Sequence, residues 1–308
     1  MLRSFRSWHL FVLVPGVCAL AFASIYWWNS RRTADVASLF RRLPSERALV
    51  AGLNVKALRD AGILDSLAGS RSLEELDYRE FIEQTGFDYR EDLDYIAAAI
   101  DSEHKYFLLR GRFDWALMKR FSAAKGAQCA NLFCAIKGTD PGKNVSYFPL
   151  AQDVLALAQG FAPKAAYSLM TERGAEMEWS IPDYALWASV PGPLLSANRN
   201  LPDGMKAFAS TLSSADRVTV GLASAAEGFE ARMDAECPNG NAANELGERL
   251  RTLTGLLQKM IARGGQQPKP GELGGVLAAG KFEASGRTVK ARWPIPREFL
   301  DSLVSGTP

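Results

Sequence analysis

Leu10 to Trp28, LFVLVPGVCALAFASIYWW, is an uncharged run of 19 residues. As a helix rising 1.5 Å per residue it is just long enough to cross a hydrocarbon core about 30 Å thick. It reads as a membrane span, with Tyr26, Trp27 and Trp28 as interfacial aromatics. Pro15 and Gly16 lie inside the run, and membrane helices tolerate both because neighbouring groups re-satisfy the freed carbonyl. Two other fates compete with a retained anchor. A cleaved signal peptide would use Ala21-Phe22-Ala23 as its small-residue site, but apolar Ile25 to Trp28 continue past it. Lipidation at Cys18 fails because Val17 stands where a small residue is needed.

Orientation is contested by two signals. Arg31, Arg32, Arg41 and Arg42 outnumber Arg3 and Arg6, which by the count of basic residues near the span would leave the C-terminal bulk in the cytoplasm. The order of basic start, apolar run and small residues argues for export instead. We take the exported reading: a single-pass protein whose bulk is extracytoplasmic, in the periplasm of a cell envelope. The arginine pairs are then either a solvated stalk or a point of attraction to anionic headgroups.

The rest of the chain has the material for a folded body, being 47% apolar and 23% charged overall with a formal net charge of +2. Up to Arg42 there are six arginines against the single acid Asp35, leaving 30 basic and 33 acidic residues beyond it. The basic excess thus belongs to the N-terminal tail. No basic run of five occurs, and no nucleic-acid partner is expected.

Residues 29–42 are polar and read as a tether. From Pro44 the pattern alternates. Strands are expected at Arg47 to Val55, Asp94 to Ile100, His104 to Arg112, Leu132 to Ile136, Val145 to Leu150 and Val154 to Ala158. Helices are expected at Lys56 to Leu67, Ser72 to Thr85 and Asp114 to Lys125, the last capped by Asp114 and closed by Gly126, with another from Pro163 to Thr171. Asp88 and Glu91 form a candidate capping pair for a short turn. The second half repeats this order: a strand at Tyr184 to Val190, a helix near Asp203 to Leu212, strands at Arg217 to Ala223 and Gly228 to Cys237, then a long helix from Asn241 to Ala262. That helix carries Leu246, Leu250, Leu253, Leu256, Leu257, Met260 and Ile261 as one apolar stripe. Val276 to Ala284 and Thr288 to Trp293 read as a hairpin, and Arg297 to Val304 as a closing helix.

The fold class expected is therefore α+β: an N-terminal transmembrane helix followed by two similar modules, each an antiparallel sheet covered by helices. The division is an anchor over 1–30, a tether over 31–44, a first module over 45–175 and a second over 176–308. A single irregular α+β domain is the competing arrangement.

Four stretches, TGFDYREDLDYIAAAI, FLLRGRFD, VSYFPLAQDVLALA and FASTLSSADRVTVGL with GLLQKMIAR, resemble a family of uncharacterised, membrane-anchored bacterial proteins built from α+β, ferredoxin-like modules. The likeness covers most of the chain beyond Pro44. It implies an envelope location and a repeated fold; it implies no activity and carries no site residue onto this chain.

Chemistry-bearing residues are sparse. Only His9 and His104 are present, so a histidine-based triad would have to use His104, in a turn or at a strand start. Ser122 and Lys125 have the Ser-x-x-Lys spacing of serine acyltransferases, and Ser196-Ala197-Asn198 supplies a second element, but the Lys-Thr-Gly third is missing. Gly275 to Lys281 has the spacing of a phosphate loop, yet Phe282 replaces the magnesium-binding hydroxyl and a strand is expected to follow where a helix is needed. Asp88, Glu91, Asp92 and Asp94 cluster without calcium-loop spacing. Cys129 and Cys134 are candidate disulfide partners, which would require a turn between them and leave Cys237 odd; the alternative is three reduced apolar fillers. Asn144-Val145-Ser146 matches a glycosylation acceptor but sits in an expected strand.

Catalytic residues are thus unassigned, and no cofactor or metal is expected. The function expected is non-catalytic: a membrane-anchored envelope protein that binds or positions a partner or ligand, with the membrane engaged through Leu10 to Trp28 and an envelope protein as the candidate partner. The alternative is an envelope hydrolase using carboxylates or Ser122 with Lys125.

Overall fold

The computed structural model describes residues 35–64, 76–139, 141–172, 180–196, 203–225, 228–263, 269, 271–296 and 298–299. The run from Leu10 to Trp28, and all of the expected closing helix but 298–299, lie outside the described residues. Among those described, no helix is long and apolar enough to cross a membrane.

The fold is α+β and is organised by one antiparallel sheet of twelve strands. In chain order these are β1 (Leu49–Leu53), β2 (Leu93–Ile100), β3 (Lys105–Gly111), β4 (Gln128–Ala130), β5 (Phe133–Lys137), β6 (Asn144–Ala151) and β7 (Val154–Gly160), then β8 (Leu186–Pro191), β9 (Arg217–Ala225), β10 (Gly228–Glu236), β11 (Lys281–Ser285) and β12 (Thr288–Ile295). Their order across the sheet is β11-β12-β10-β9-β8-β1-β2-β3-β7-β6-β5-β4. The two expected sheets are therefore one. Outward from the β1–β8 junction each side runs alike: a three-strand meander, then strands added from the far edge inward.

The helices are α1 (Val36–Phe40), α2 (Val55–Asp60), α3 (Leu76–Thr85), α4 (Tyr89–Asp92), α5 (Trp115–Ala124), α6 (Gly192–Ser196), α7 (Asp203–Leu212), α8 (Gly240–Arg263) and α9 (Leu273–Ala278). Several begin or end where local chemistry dictates. Asn54 caps α2 by accepting from Ala57 N, and Asp114 caps α5 by accepting from Ala116 N and Leu117 N. Gly86 and Gly126, just past α3 and α5, sit at positive φ as a left-handed helix end requires.

Three departures from the sequence reading stand out. First, the stretch taken as a tether folds from Val36 onward: Val36, Leu39, Phe40 and Leu43 fall at helical spacing among polar neighbours, and Leu39, Phe40 and Leu43 are buried in the main core. Second, the expected strand from Val276 begins as helix α9, and the strand starts only at Lys281; an apolar run this short fits either state. Third, the expected helix from Pro163 to Thr171 is a 3-10 turn over Ala165–Leu169.

Strand register assigns the cores to faces. Gly52 stands opposite Trp187, and Trp187 opposite Gly221, so these three share a face. On that face Val50, Ala97, Leu108, Ala156 and Trp187 pack beneath α1 and the 3-10 turn. The other face carries two clusters, one beneath α2 around Val55, Leu58 and Phe87, and one beneath α7, α8 and α9 around Val218, Met233, Leu246, Leu250 and Ala291. Along β12 buried and exposed residues alternate, so Lys290 and Arg292 face solvent on the side opposite α8.

Candidate functional site

Among the described residues a concavity lies where α8 and α9 meet the ends of β10 and β12. It encloses about 640 Å³ and is lined mainly by apolar groups, among them Phe229, Val276, Ala278, Ala279 and Ile295, with Gln258 and Glu230 as its polar members. Such a volume and lining are what small-molecule sites present. Its walls are fixed by the local sequence. Gly275, inside α9, runs against another backbone: a side chain there would drive Cβ into the Lys269 carbonyl oxygen. Gln258 Nε2 donates to the Ala278 carbonyl at 2.7 Å, tying the C-terminal half of α8 to the end of α9. Glu230 is drawn toward Arg232, whose Nε lies 2.6 Å from its carboxylate, and that hydrogen bond keeps the guanidinium above its ordinary pKa.

The Gly275 to Lys281 segment, whose phosphate-loop spacing is already countered in the sequence by Phe282, supplies one wall of this cavity through Gly275, Val276, Ala278 and Ala279. The segment forms α9 and the turn into β11, and its surroundings are apolar. The signal that marks it is the closeness of small residues, Gly275, Ala278 and Ala279, which let helix and strand ends leave a gap.

The apolar stripe of α8 divides along its length. Leu246 and Leu250 are buried, Leu253 and Leu257 half-buried, while Leu256 and Met260, placed on the same stripe by periodicity, are exposed. The stripe is wider than the sheet can cover.

Ser122 and Lys125 are each engaged elsewhere, and no hydrogen bond joins them. The Ser122 and Tyr147 hydroxyls are 2.7 Å apart, and Tyr147 donates to the Met118 carbonyl at 3.1 Å, so Ser122 is left as the donor to Tyr147. Burial raises the Tyr147 pKa, and the Ser122 hydrogen bond opposes this. Lys125 lies beyond the end of α5 with its ammonium 2.7 Å from Glu80, which lowers the Glu80 pKa. Ser196 turns back to the Pro193 carbonyl, and residues 197 and 198 lie outside the described residues.

The acidic cluster resolves into helix capping and arginine pairing. Asp88 accepts from Arg90 N, and the carboxylate that reaches back to Asp88 N is that of Asp92 rather than the expected Glu91. Asp92 also receives Arg112 Nε and Nη2 at 3.0 and 2.8 Å, and Asp94 receives Arg59 Nη2 at 3.3 Å. Among the described residues no group of three or more His, Cys, Asp or Glu is placed to hold a metal ion.

His104 sits in the β2–β3 turn, where its backbone N–H donates to Asp101 and its ring stacks on Tyr106 with centroids 5.5 Å apart. Its ring also fills the space above Gly160. Ser146 is fully buried and accepts from Ala166 N, which makes the Asn144-Val145-Ser146 triplet part of the sheet.

Cys129 and Cys134 stand directly opposite across β4 and β5 and are joined as a disulfide, with Cα atoms 4.1 Å apart. Asn131 and Leu132 make the two-residue turn, Asn131 at φ +54°. The pair next to the one flanking such a turn is a non-hydrogen-bonded pair, the close-set position where facing side chains can meet. Cys237 is free and buried, and burial pushes its thiol pKa up.

No protein-family model and no curated protein sequence matches the chain. Solved structures of similar shape include three crystal forms of TP0453. Form IV gives a TM-score of 0.49 at 10% identity, covering 88% of this chain and 98% of that one. Form III gives 0.48 at 11% identity over 89% and 99%, and form I gives 0.46 at 13% identity over 89% and 98%.

Proposed function

We propose that this is a membrane-tethered envelope protein that works by binding: it holds a small apolar ligand between α8, α9 and the sheet, on a body made of two similar lobes fused through β1 and β8. The observation that carries the reading is the cavity of about 640 Å³ with its apolar lining, in which Gln258 and Glu230 are the polar members. Both polar groups are already committed within the protein, Gln258 to Ala278 and Glu230 to Arg232, so the guest is recognised by burial and shape. The tether rests on Leu10 to Trp28, 19 uncharged residues long enough to span a bilayer. Export of the body rests on the order of basic, apolar and small residues at the N-terminus.

The serine–lysine form of the hydrolase alternative gains nothing from the geometry, since Ser122 serves Tyr147 and Lys125 serves Glu80. The test of the binding reading is equilibrium titration of the full chain with phenylnaphthylamine, a neutral apolar dye whose fluorescence rises on burial. Ala279→Trp, which fills the cavity from an exposed position in its wall, weakens binding at least about tenfold if the cavity is the site.

A further inference from the structure

The segment Phe161 to Thr171 has an inner side and an outer side of different character. Ala165, Ala166 and Leu169 are buried against the sheet, and Ala166 N donates to the buried hydroxyl of Ser146. Phe161, Tyr167 and Met170 are 56%, 42% and 55% exposed, Tyr167 with one face of its ring stacked on buried Phe133 at 4.2 Å between centroids and the other part open to solvent. Between them the segment carries one charge, Lys164, and no acid. Lys143 adds a second cation, its ammonium 5.9 Å from the centre of the Phe161 ring. Outward aromatic, thioether and lysine groups on a surface segment are the composition of an interfacial contact, where rings and lysine stems sit among headgroups.

The same segment is fastened to the part of the body that follows the tether. Arg42, just past α1, donates to the Met170 carbonyl, and with Arg41 it meets Glu172. Seven Cα steps separate Trp28 from Asp35 at the start of α1, at most about 25 Å even when fully extended. Chain length therefore holds the α1 side of the body near the bilayer, and α1 and the 3-10 turn cover the same sheet face. Other large exposed apolar groups are scattered singly, as Leu76 on α3, Leu132 in the β4–β5 turn, Leu186 on β8, Leu194 on α6 and Val220 on β9, or, as Leu256 and Met260, lie on α8, which packs on the opposite face.

We infer that the Phe161–Met170 surface is a bilayer contact, resting on the headgroup layer of the membrane that anchors the chain. This deepens the tether reading and depends on it. The outward side chains would lower into the interface while Ala165, Ala166 and Leu169 keep the segment on the sheet, and Glu172, paired with Arg41 and Arg42, would not oppose an anionic leaflet.

The test uses the full chain reconstituted in vesicles of phosphatidylcholine and phosphatidylglycerol that contain doxyl-labelled lipid. In a Cys18→Ala background, Met170→Cys and, separately, Leu256→Cys are labelled with an environment-sensitive fluorophore. The expected result is doxyl quenching at position 170 about twofold or more above that at 256. Equal or greater quenching at 256, or none at 170, while the protein still sediments with vesicles after alkaline carbonate washing, overturns the contact and leaves the tether standing. Release of the protein by the carbonate wash overturns the tether, and the contact with it.

Discussion

The indole of Trp187 on β8 lies over Gly52 on β1, its partner across the junction of the two halves of the sheet. A Cβ on Gly52 would stand 2.4 Å from Trp187 Nε1 and 2.5 Å from the Tyr95 hydroxyl. Phe40 of α1 closes the cluster, its ring centroid 5.0 Å from that of Trp187. One aromatic group from the second half is thus buried in the core of the first. Below it Arg217 donates to both the Ser189 hydroxyl and the Ser45 carbonyl, crossing the same junction.

Gly52→Ala is therefore expected to destabilise the protein by about 1–3 kcal/mol, because overpacking outweighs the usual gain of roughly 0.5–1 kcal/mol from replacing a strand glycine. Urea unfolding of the full chain in detergent checks this. An unchanged or raised midpoint would mean that the ring does not occupy that space.

The Cys129–Cys134 bridge makes a countable prediction. Of the four cysteines in the chain, alkylation of denatured, unreduced protein should modify two, Cys18 and Cys237, and reduction should bring the count to four. By loop-closure entropy a bridge across so short a loop contributes about 2 kcal/mol. Cys129→Ser with Cys134→Ser should lower stability by up to that amount and affect the edge hairpin first.

Alkaline pH should destabilise the fold. Burial raises the pKa values of Tyr78, Tyr95 and Tyr147 above their ordinary value of 10.0. For Tyr78 the backbone hydrogen bond to Tyr89 opposes burial and the Asp88 carboxylate adds to it. For Tyr95 the Trp187 N–H and Arg110 oppose it. The folded state keeps these protons to higher pH than the unfolded chain does. Their contribution is accordingly whole below the ordinary tyrosine value and is lost as pH climbs from there through the raised folded values. Unfolding midpoints measured from neutral pH upward should stay level, begin to fall above about pH 9 as the buried Cys237 thiol adds a loss of the same sign, and fall further above about pH 10. Ser122→Ala removes the hydrogen bond that opposes burial at Tyr147, so tyrosinate absorbance should appear later still, with a stability loss of about 1 kcal/mol.

Much of the element order was legible in the sequence because its signals are local. The turn at Asp101 to Glu103 joins β2 and β3, and Asp114 and Gly126 bracket α5, as their chemistry requires. Pairing of distant strands was not legible. Alternation tells which residues share a face, yet nothing in the residues of β1 says that its second neighbour is β8, more than a hundred residues on. Hence one sheet appeared as two. The cavity was hidden for a related reason, since its walls come from four separate segments whose meeting no local pattern announces. α1 was missed because Val36, Leu39, Phe40 and Leu43 are few and sit among arginines and polar residues.

The binding reading is tested most directly by phenylnaphthylamine titration of the wild-type chain beside Ala279→Trp. The account predicts saturable fluorescence enhancement with wild type and at least about a tenfold loss of affinity in the variant, since filling the cavity removes the burial that drives binding. Equal affinity in a variant with an unchanged unfolding midpoint, or no saturable signal from the wild type, would contradict it.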